Sequence, residues 1–204
     1  ELPSYVDFED IRHPLIEQLL NKKGESYVTN NLKLGGISED CCDYESYNGM
    51  LLYGTNAVGK TSLIRAIGIS VIMAQAGMFV PCSRFTYRPY KYIFTRILGN
   101  DNIFKGLSTF AVEMTELRTI LKYCDKNSLI LGDELCSGTE SDSAIAIFVT
   151  GLMKLHEIGS CFIFATHFHE IVKFEEVLDL DRLTMKHMKV IYNRETGKLE
   201  YDRK

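Results

Sequence analysis

Residues 54–61 have the types and spacing of a phosphate-binding loop. They read Gly-Thr-Asn-Ala-Val-Gly-Lys-Thr, which fits the pattern G-x-x-x-x-G-K-[ST]. Two glycines let the backbone curl so that successive N–H groups point into one concavity, which holds phosphate oxygens. Lys60 would bring a positive charge to the β- and γ-phosphates, and the Thr61 hydroxyl would bind Mg²⁺. The pattern predicts a nucleoside triphosphate site with further contacts from Gly54, Thr55, Asn56, Ala57, Val58, Gly59 and Ser62.

The residues on either side of this loop favour the same chemistry. Residues 50–53 form a short apolar run, as in a strand that is buried on both faces. After the loop, apolar residues recur at helical spacing as far as Gly77, namely Leu63, Ile64, Ile67, Val71, Ile72 and Ala74. A strand, a glycine loop and a helix amino terminus together make an anion site. The alternative is a glycine turn before an ordinary helix, and the flanking pattern argues against it.

Two further apolar runs end in residues that could act on the phosphates. Residues 128–132 lead into Asp133 and Glu134, and residues 161–165 lead into Thr166 and His167. Ligands of open α/β sheets bind beyond the carboxyl ends of the strands, so these side chains should meet the glycine loop. Asp133 is then expected to hold Mg²⁺, directly or through water.

The other two side chains, with Lys60, are the predicted catalytic residues. Glu134 would polarise the attacking water, and His167 would contact or sense the γ-phosphate. Another interpretation of Glu134 is an acidic residue that is stabilised at a helix amino terminus by the helix dipole. Two histidines, His167 and His169, lie one residue apart and would point in different directions, which argues against a metal site there.

Strands that alternate with helices predict a single α/β domain over residues 1–204, with a mostly parallel central sheet. The predicted core strands cover residues 50–53, 90–98, 128–134 and 161–165. Predicted helices follow the glycine loop, begin near Ser108 and span residues 144–155. Peripheral strands are expected at residues 27–28 and 32–34 and in a hairpin over residues 185–201. Residues 15–20 would form a short helix or edge strand that covers the core.

Composition limits the classes of function. The 204 residues carry a net charge of −4, which argues against this segment being a major DNA-binding or membrane-binding surface. No apolar run is long enough to span a bilayer. Six cysteines occur without any C-x-x-C pair, so the usual zinc and thioredoxin patterns are missing and reduced thiols in an intracellular protein are expected. The sequence begins with Glu1, and we expect it to be a fragment of a longer chain.

Residues 105–114 admit two interpretations when taken alone. They form a glycine turn into a helix capped by Ser108, and the free N–H groups at that end could bind a second anion. A simple capped helix explains the same residues equally well.

Three polar residues are expected to have structural roles. His13 would be a hydrogen-bonding residue before a proline turn, and Gln75 and His156 would face solvent.

The order of these motifs resembles one known family. The glycine loop is followed by G-L-S-T-F-A-V-E-M at residues 106–114, L-I-L-G-D-E-L-C-S-G-T at 129–139 and F-A-T-H-F-H-E at 164–170. Together with G-M-F-V-P at residues 77–81, this order is similar to the ATPase domain of the MutS family of DNA mismatch-repair proteins. The resemblance extends from about residue 12 to residue 187, and S-T-F-x-V-E-M is its most discriminating part.

The resemblance implies a P-loop NTPase domain of the ABC-ATPase-like type that hydrolyses ATP with Mg²⁺ and works as a homo- or heterodimer. Each of two composite sites would combine the phosphate loop of one subunit with the signature helix of the other, where Ser108 would face the γ-phosphate. Residues 137–139 would lie along the dimer contact. Tyr27 and His187 match the family's adenine-stacking positions. DNA would be bound through regions absent from this sequence, inside the cell and without a membrane.

The sequence also departs from the family pattern. Thr55, Ala57 and Val58 replace more usual loop residues, and Leu107 and Ser137 stand where arginine is common. No residue with a clear catalytic role is lost, so hydrolysis is expected, while the contacts between subunits should differ in detail.

Two alternatives remain beside a mismatch-repair ATPase. One is a nucleotide-gated interaction module that does not hydrolyse ATP, against which the intact Lys60, Asp133 and Glu134 argue. The other is a different ABC-like DNA ATPase, for example one acting in recombination. The SMC type places long coiled coils between the nucleotide motifs, whereas only about 70 residues separate Lys60 from Asp133 here.

Overall fold

The computed structural model describes residues 2–36, 46–54, 59–96, 109–133, 141–166, 170–188, 190–193 and 198–201. These residues form ten strands and five α-helices, with a 3₁₀ turn at Ile171–Lys173. In chain order they are β1 Tyr5–Ile11, α1 Pro14–Lys22, β2 Asn30–Gly35, β3 Gly49–Tyr53, α2 Lys60–Gln75, β4 Arg84–Arg88, β5 Tyr92–Arg96, α3 Thr109–Tyr123, β6 Ser128–Asp133, α4 Ser141–Ile158, β7 Cys161–Thr166, α5 Glu175–Leu178, β8 Leu183–His187, β9 Val190–Asn193 and β10 Lys198–Tyr201.

A five-stranded parallel sheet lies at the centre, in the order β5-β6-β7-β3-β8. Every residue of β6 and β7 is buried, because helices cover both faces of the sheet. Leu129 and Leu131 pack with α2 on one face, whereas Ile130 packs with α3 and α4 on the other. Side chains that alternate between two apolar layers explain why these strands read as unbroken apolar runs. The predicted α/β class and parallel sheet are confirmed.

Two glycines let the elements of this sheet approach one another closely. A Cβ atom added to Gly132 would lie 2.2 Å from the ring of Phe164, and one added to Gly68 of α2 would lie 2.9 Å from Leu131 Cδ1. Such distances are far below van der Waals contact, so a larger residue at either position would push α2 or β7 away. Close packing therefore holds the middle of α2 against β6, and the end of β6 against β7.

A second, antiparallel sheet has the order β2-β1-β4 and packs into the same apolar layer as α2. The prediction of a strand at Tyr27 and Val28 is wrong, since both precede β2, and β4 was not predicted. Gln75 at the end of α2 is exposed, but it is more than a solvent-facing residue. Its side chain accepts a hydrogen bond from the Tyr90 N–H at 2.7 Å and donates one to the Tyr90 carbonyl at 3.2 Å.

The chain after α5 differs from the predicted hairpin. The segment from Leu183 to His187 is β8, which pairs in parallel with β3 and completes the central sheet. The hairpin itself consists of β9 and β10, which pair antiparallel, and the predicted turn at residues 195–197 lies outside the described residues. His156, expected to face solvent, places its Nε2 atom 2.9 Å from Asp181 Oδ1 and so links α4 to the turn before β8.

Helix α1 does not cover the core as predicted. It has Pro14 in its first turn and none of its residues is buried, with Leu15 64% and Leu19 58% exposed. His13, just before the helix, is buried; its carbonyl accepts a hydrogen bond from the Glu17 N–H at 2.9 Å, whereas its Nδ1 atom has no hydrogen-bond partner. Burial lowers the pKa of His13 below its usual value. Ile72 was predicted in the apolar stripe of α2 but is exposed.

Within the described part of the chain, Cys82, Cys124 and Cys161 are free thiols. Burial raises the pKa of Cys161 to about 11, because the thiolate loses its hydration there. None of the described helices combines the length and apolar character needed to cross a membrane.

Candidate functional site

The phosphate-loop pattern lies between the end of β3 and the start of α2. Gly54 has φ +143° and Gly59 has φ +106°, in a region that side chains other than glycine rarely enter. Helix α2 then begins at Lys60, followed by Thr61 and Ser62, with no acidic residue in its first turn and no side-chain cap at Gly59. The first N–H groups of a helix have no carbonyl partner inside it, so this end of α2 attracts an anion. Residues 55–58 lie outside the described residues.

Lys60 is buried at this end of the helix, with 5% of its surface exposed. Its Nζ atom donates a hydrogen bond to the carbonyl of Gly54 at 2.6 Å. A buried ammonium needs such a partner, because an unpaired charge out of water is costly. This bond holds the ammonium group of Lys60 at Gly54, the first residue of the phosphate-loop pattern.

Thr61 and Asp133, the two predicted metal ligands, lie in direct contact. The Thr61 hydroxyl donates a hydrogen bond to Asp133 Oδ2 at 2.5 Å, which joins the start of α2 to the end of β6. Asp133 is 5% exposed. A hydroxyl and a carboxylate are the hard oxygen donors that Mg²⁺ takes in proteins, usually with water and phosphate oxygens in the remaining positions. The donor set fits magnesium, and the described residues contain no cluster of three or more histidine, cysteine or acidic residues that would compete for a metal.

The carboxyl ends of the central strands form one row. Asp133 of β6 is in register with Ala165 of β7, and Tyr53 at the end of β3 is in register with both Thr166 of β7 and His187 of β8. The sequence predicted that the residues after β3, β6 and β7 would meet at one edge, and the strand ends do so. Ser108, Glu134 and His167 lie outside the described residues, so their predicted roles stay predictions.

A pocket of about 420 Å³ opens beside this row of strand ends. Its apolar floor comes from β3 and α2, and its walls come from β8 on one side and from Thr29 and the start of β2 on the other. The residues that line it are Asp10, Thr29, Asn30, Asn31, Leu32, Met50, Leu52, Leu63, Lys186, His187 and Met188. The pocket lies next to the start of α2, which contributes Leu63 to its lining.

Of the two predicted adenine-stacking residues, the structure brings only one to this pocket. His187 lines it, and its ring centroid lies 5.7 Å from that of Tyr53, with the rings tilted by 35°. Tyr27 is half-buried and is not among the lining residues, although Thr29, two residues later, is.

Asp10 is a pocket residue that was not predicted. It has φ +53° at an irregularity in the pairing of β1 with β2. Its carboxylate accepts hydrogen bonds from Thr29 at 2.9 Å and Ser83 at 3.0 Å, which lower the pKa of Asp10, and its N–H donates to Asn31 Oδ1 at 2.8 Å. These bonds hold one wall of the pocket against β1. Aspartate is enriched at positive φ, but this preference is too weak to find such a position in a sequence.

Comparison with known proteins gives the family. A family model described as MutS domain V matches residues 50–204. The chain is 38% identical to a putative DNA mismatch repair protein, a mutS homologue, of Acanthamoeba polyphaga mimivirus, and 100% of the chain is aligned to 20% of that protein. It is 40% identical to the mitochondrial DNA mismatch repair protein mutS homologue of Sarcophyton glaucum, over 98% of the chain and 18% of that protein.

A bacterial relative has similar coverage. The chain is 36% identical to the DNA mismatch repair protein MutS of Lactobacillus johnsonii, over 92% of the chain and 20% of that protein. The chain thus spans about a fifth of the length of these relatives. Since the family model matches from β3 through the last described strand, the chain belongs to the MutS family of DNA mismatch-repair proteins and carries its C-terminal, ABC-like ATPase domain.

Proposed function

We propose that this domain binds ATP with Mg²⁺ and hydrolyses it to ADP and phosphate, and that hydrolysis switches a DNA-bound dimer in mismatch repair. The observation that carries the proposal is the hydrogen bond between Thr61 and Asp133, residues 72 positions apart in the chain. It joins the element that would bind phosphate to the element that would hold the metal. A simple glycine turn before a helix does not require a buried carboxylate at that point.

The described side chains support distinct tasks in hydrolysis. Lys60 would exchange the Gly54 carbonyl for the β- and γ-phosphate oxygens, since its ammonium already lies at the loop. Thr61 and Asp133 would hold Mg²⁺, which when bound supplies positive charge to the same phosphates. Glu134, which follows Asp133, would accept the proton of the attacking water, and His167 would contact the γ-phosphate.

The pocket beside the strand ends would take the adenine base. His187 lines it and offers one aromatic face, which packs against Tyr53. Tyr27, which is half-buried two residues before Thr29 of the pocket lining, would supply the other face. A stack of this kind contributes roughly 1–3 kcal/mol per base.

The proposed partner is inferred from the family, in which two subunits would share each nucleotide site. A second MutS-type subunit would contribute Ser108 to the nucleotide held by this subunit, in a homo- or heterodimer. The relatives named above are DNA mismatch repair proteins, and the chain matches about a fifth of their length, so DNA contacts are assigned to other parts of such a protein. The protein would act at DNA inside the cell.

Replacing Glu134 by glutamine tests the reaction. The substitution removes the charge that orients the water and leaves the contacts of Lys60, Thr61 and Asp133 in place. Phosphate release should fall by about 100-fold or more, while ATP affinity measured by equilibrium binding is retained. Glu176→Gln, at an exposed position of α5, is the matched control and should change neither value. Normal hydrolysis by the Glu134 variant would exclude that residue as the catalytic carboxylate.

Mixing two inactive variants tests the composite site. Lys60→Ala and Ser108→Ala dimers should each be poor enzymes. A mixed dimer has one site that joins an intact Lys60 loop to an intact Ser108 helix, so phosphate release should partly recover in the mixture. The specific activity of the unmodified protein should also rise with its concentration, because the active species is the pair. A mixture that performs no better than the average of its components, although dimers form, would refute the role of Ser108.

A further inference from the structure

The central sheet carries a buried ion pair at the end of its edge strand. Arg96, the last residue of β5, is 8% exposed. Its Nη2 atom lies 3.1 Å from Glu113 Oε1, and its Nε atom lies 2.8 Å from Glu116 Oε2. One guanidinium group thus contacts two carboxylates of α3, which are three residues apart and lie on the same side of the helix.

This ion pair holds residues 111–116 of α3 together with Met114, which is partly buried against the layer that contains α4. Glu113 is fully buried, and it is the one buried residue among residues 111–116 of the helix. The buried apolar residues of α3, Leu117 and Ile120, lie farther along and pack against the layer that contains α4. Leu117 and Ile120 therefore fix the later part of α3 by apolar burial, whereas residues 111–116 are held by Arg96 and by the partly buried Met114.

A buried ion pair adds little net stability, because the cost of removing two charges from water offsets their attraction. Its geometry is more demanding than that of an apolar contact, since Nη2 of the planar guanidinium donates a directional hydrogen bond to Glu113 Oε1. Such a pair is suited to fixing the direction of a helix. Here it fixes the start of α3 against the carboxyl edge of the sheet, where Arg96 is in register with Gly132, the residue before Asp133.

We propose that Arg96 is a positioning residue for the nucleotide site of the neighbouring subunit: its ion pair with Glu113 sets how the amino end of α3 is presented to that subunit. The inference rests on the composite site proposed above, in which Ser108 contacts the neighbour's γ-phosphate. Ser108 is the residue before Thr109, at which α3 begins. Arg96 touches neither nucleotide and acts only through α3.

The proposal makes an asymmetric prediction for mixed dimers. In a mixture of Lys60→Ala and Ser108→Ala subunits, the whole site uses α3 of the first variant and the phosphate loop of the second. Adding Arg96→Gln to the Lys60→Ala subunit should lower the recovered phosphate release by about 10- to 100-fold, since small misplacements of a catalytic group have effects of this size. Adding Arg96→Gln to the Ser108→Ala subunit should change the recovered rate by less than about twofold.

Arg118→Gln, at an exposed position of the same helix, is the matched control and should have no effect in either subunit. Arg96→Lys keeps the charge but loses the planar fork, so its effect should be intermediate. If Arg96→Gln does not fold, the Arg96→Gln/Glu113→Gln double variant removes both charges together and avoids an unpaired buried carboxylate. It should fold and show the same asymmetry.

The recovered rates of the mixed dimers can contradict the proposed role of Arg96 in two ways. Equal losses in the two arms would mean that Arg96 serves only the fold of its own subunit, and unchanged rates in both arms would mean that it serves neither subunit's site. Either result overturns the inference while the composite site stands. If the parent mixture of Lys60→Ala and Ser108→Ala shows no gain although dimers form, the composite site itself is wrong and the inference falls with it.

Discussion

The phosphate end of the candidate site and the pocket beside it are built in different ways. At the phosphate end, Lys60 and Asp133 are buried, and each is held by a short hydrogen bond, to Gly54 and to Thr61. The pocket is open, and its walls are polar residues from the edges of two sheets, with His187 at the end of β8.

The difference follows from what each region would bind. A charge that handles phosphate must be buried to act strongly, and a buried charge is tolerated only when it is paired, so these groups are positioned before a ligand arrives. A face that stacks on a base carries no charge and can lie partly exposed until the base covers it. If the proposed function holds, the phosphate end is preformed, whereas the pocket would be completed by the base.

The largest effect is expected at the metal. Asp133→Asn keeps the size of the side chain and removes the charge that would hold Mg²⁺, so turnover should fall by at least about 100-fold, since such an ion contributes several kcal/mol to the stabilisation of transition-state charge. Removing Mg²⁺ with a chelator should lower the rate of the unmodified protein to the level of the variant and leave the variant unchanged. The measurement is steady-state phosphate release with and without the metal.

Asp179→Asn is the matched control, because Asp179 is exposed at the end of α5. It should hydrolyse ATP normally and respond to the chelator as the unmodified protein does. An Asp133 variant that keeps metal-dependent turnover would show that the contact with Thr61 is a structural hydrogen bond and would remove the basis for a preformed phosphate end.

An intermediate effect is expected in the base pocket. Tyr27→Ala should weaken binding of ATP and ADP alike by roughly 10- to 150-fold, the size of one lost stack, and should hardly change the affinity for inorganic triphosphate. Lys60→Ala should instead weaken binding of inorganic triphosphate. Equilibrium titrations of the three ligands with both variants separate the two regions.

Tyr123→Ala removes an exposed tyrosine of α3 and serves as the control, with all three affinities retained. Equal losses for ATP and triphosphate in the Tyr27 variant would make Tyr27 a packing residue, in agreement with its position outside the described pocket lining. The adenine would then lie elsewhere.

The smallest effect tests the packing behind the phosphate end. Gly132→Ala places a methyl group 2.2 Å from the ring of Phe164 and should destabilise the fold by about 1–3 kcal/mol. Gly151→Ala, inside α4, meets Leu117 at an ordinary 3.7 Å and should stabilise by about 0.5–1 kcal/mol through helix propensity. Urea unfolding midpoints measure both. Similar midpoints for the two variants would mean that β6 and β7 tolerate separation, so that the position of Asp133 is not fixed by close packing.

The sequence predicted the parts of the molecule that depend on neighbouring residues. The glycine pattern over residues 54–61 placed the loop between β3 and α2, and the apolar runs of β6 and β7 were found because strands buried on both faces have no polar alternation. Asp133, at the end of β6, could be assigned to the same edge of the sheet as the glycine loop, because parallel strands end at the same edge.

The prediction failed where a residue's environment is set by distant parts of the chain. Leu15 and Leu19 have the spacing of a core helix, yet α1 buries none of its residues. Residues 185–187 look like hairpin material, yet they pair with β3 because an edge of the parallel sheet is open there.

By itself, the sequence determined the α/β class, the glycine pattern that precedes α2 and the apolar run of β6 that ends at Asp133, since each depends on a local pattern. Only the tertiary structure decided that Thr61 lies 2.5 Å from Asp133, that Asp10 braces the pocket wall and that Arg96 pairs with Glu113. These contacts join residues of different elements, and side-chain pairing across elements depends on strand order and register. Strand order and register depend on how the whole apolar core is buried, and a short run of sequence does not contain that information.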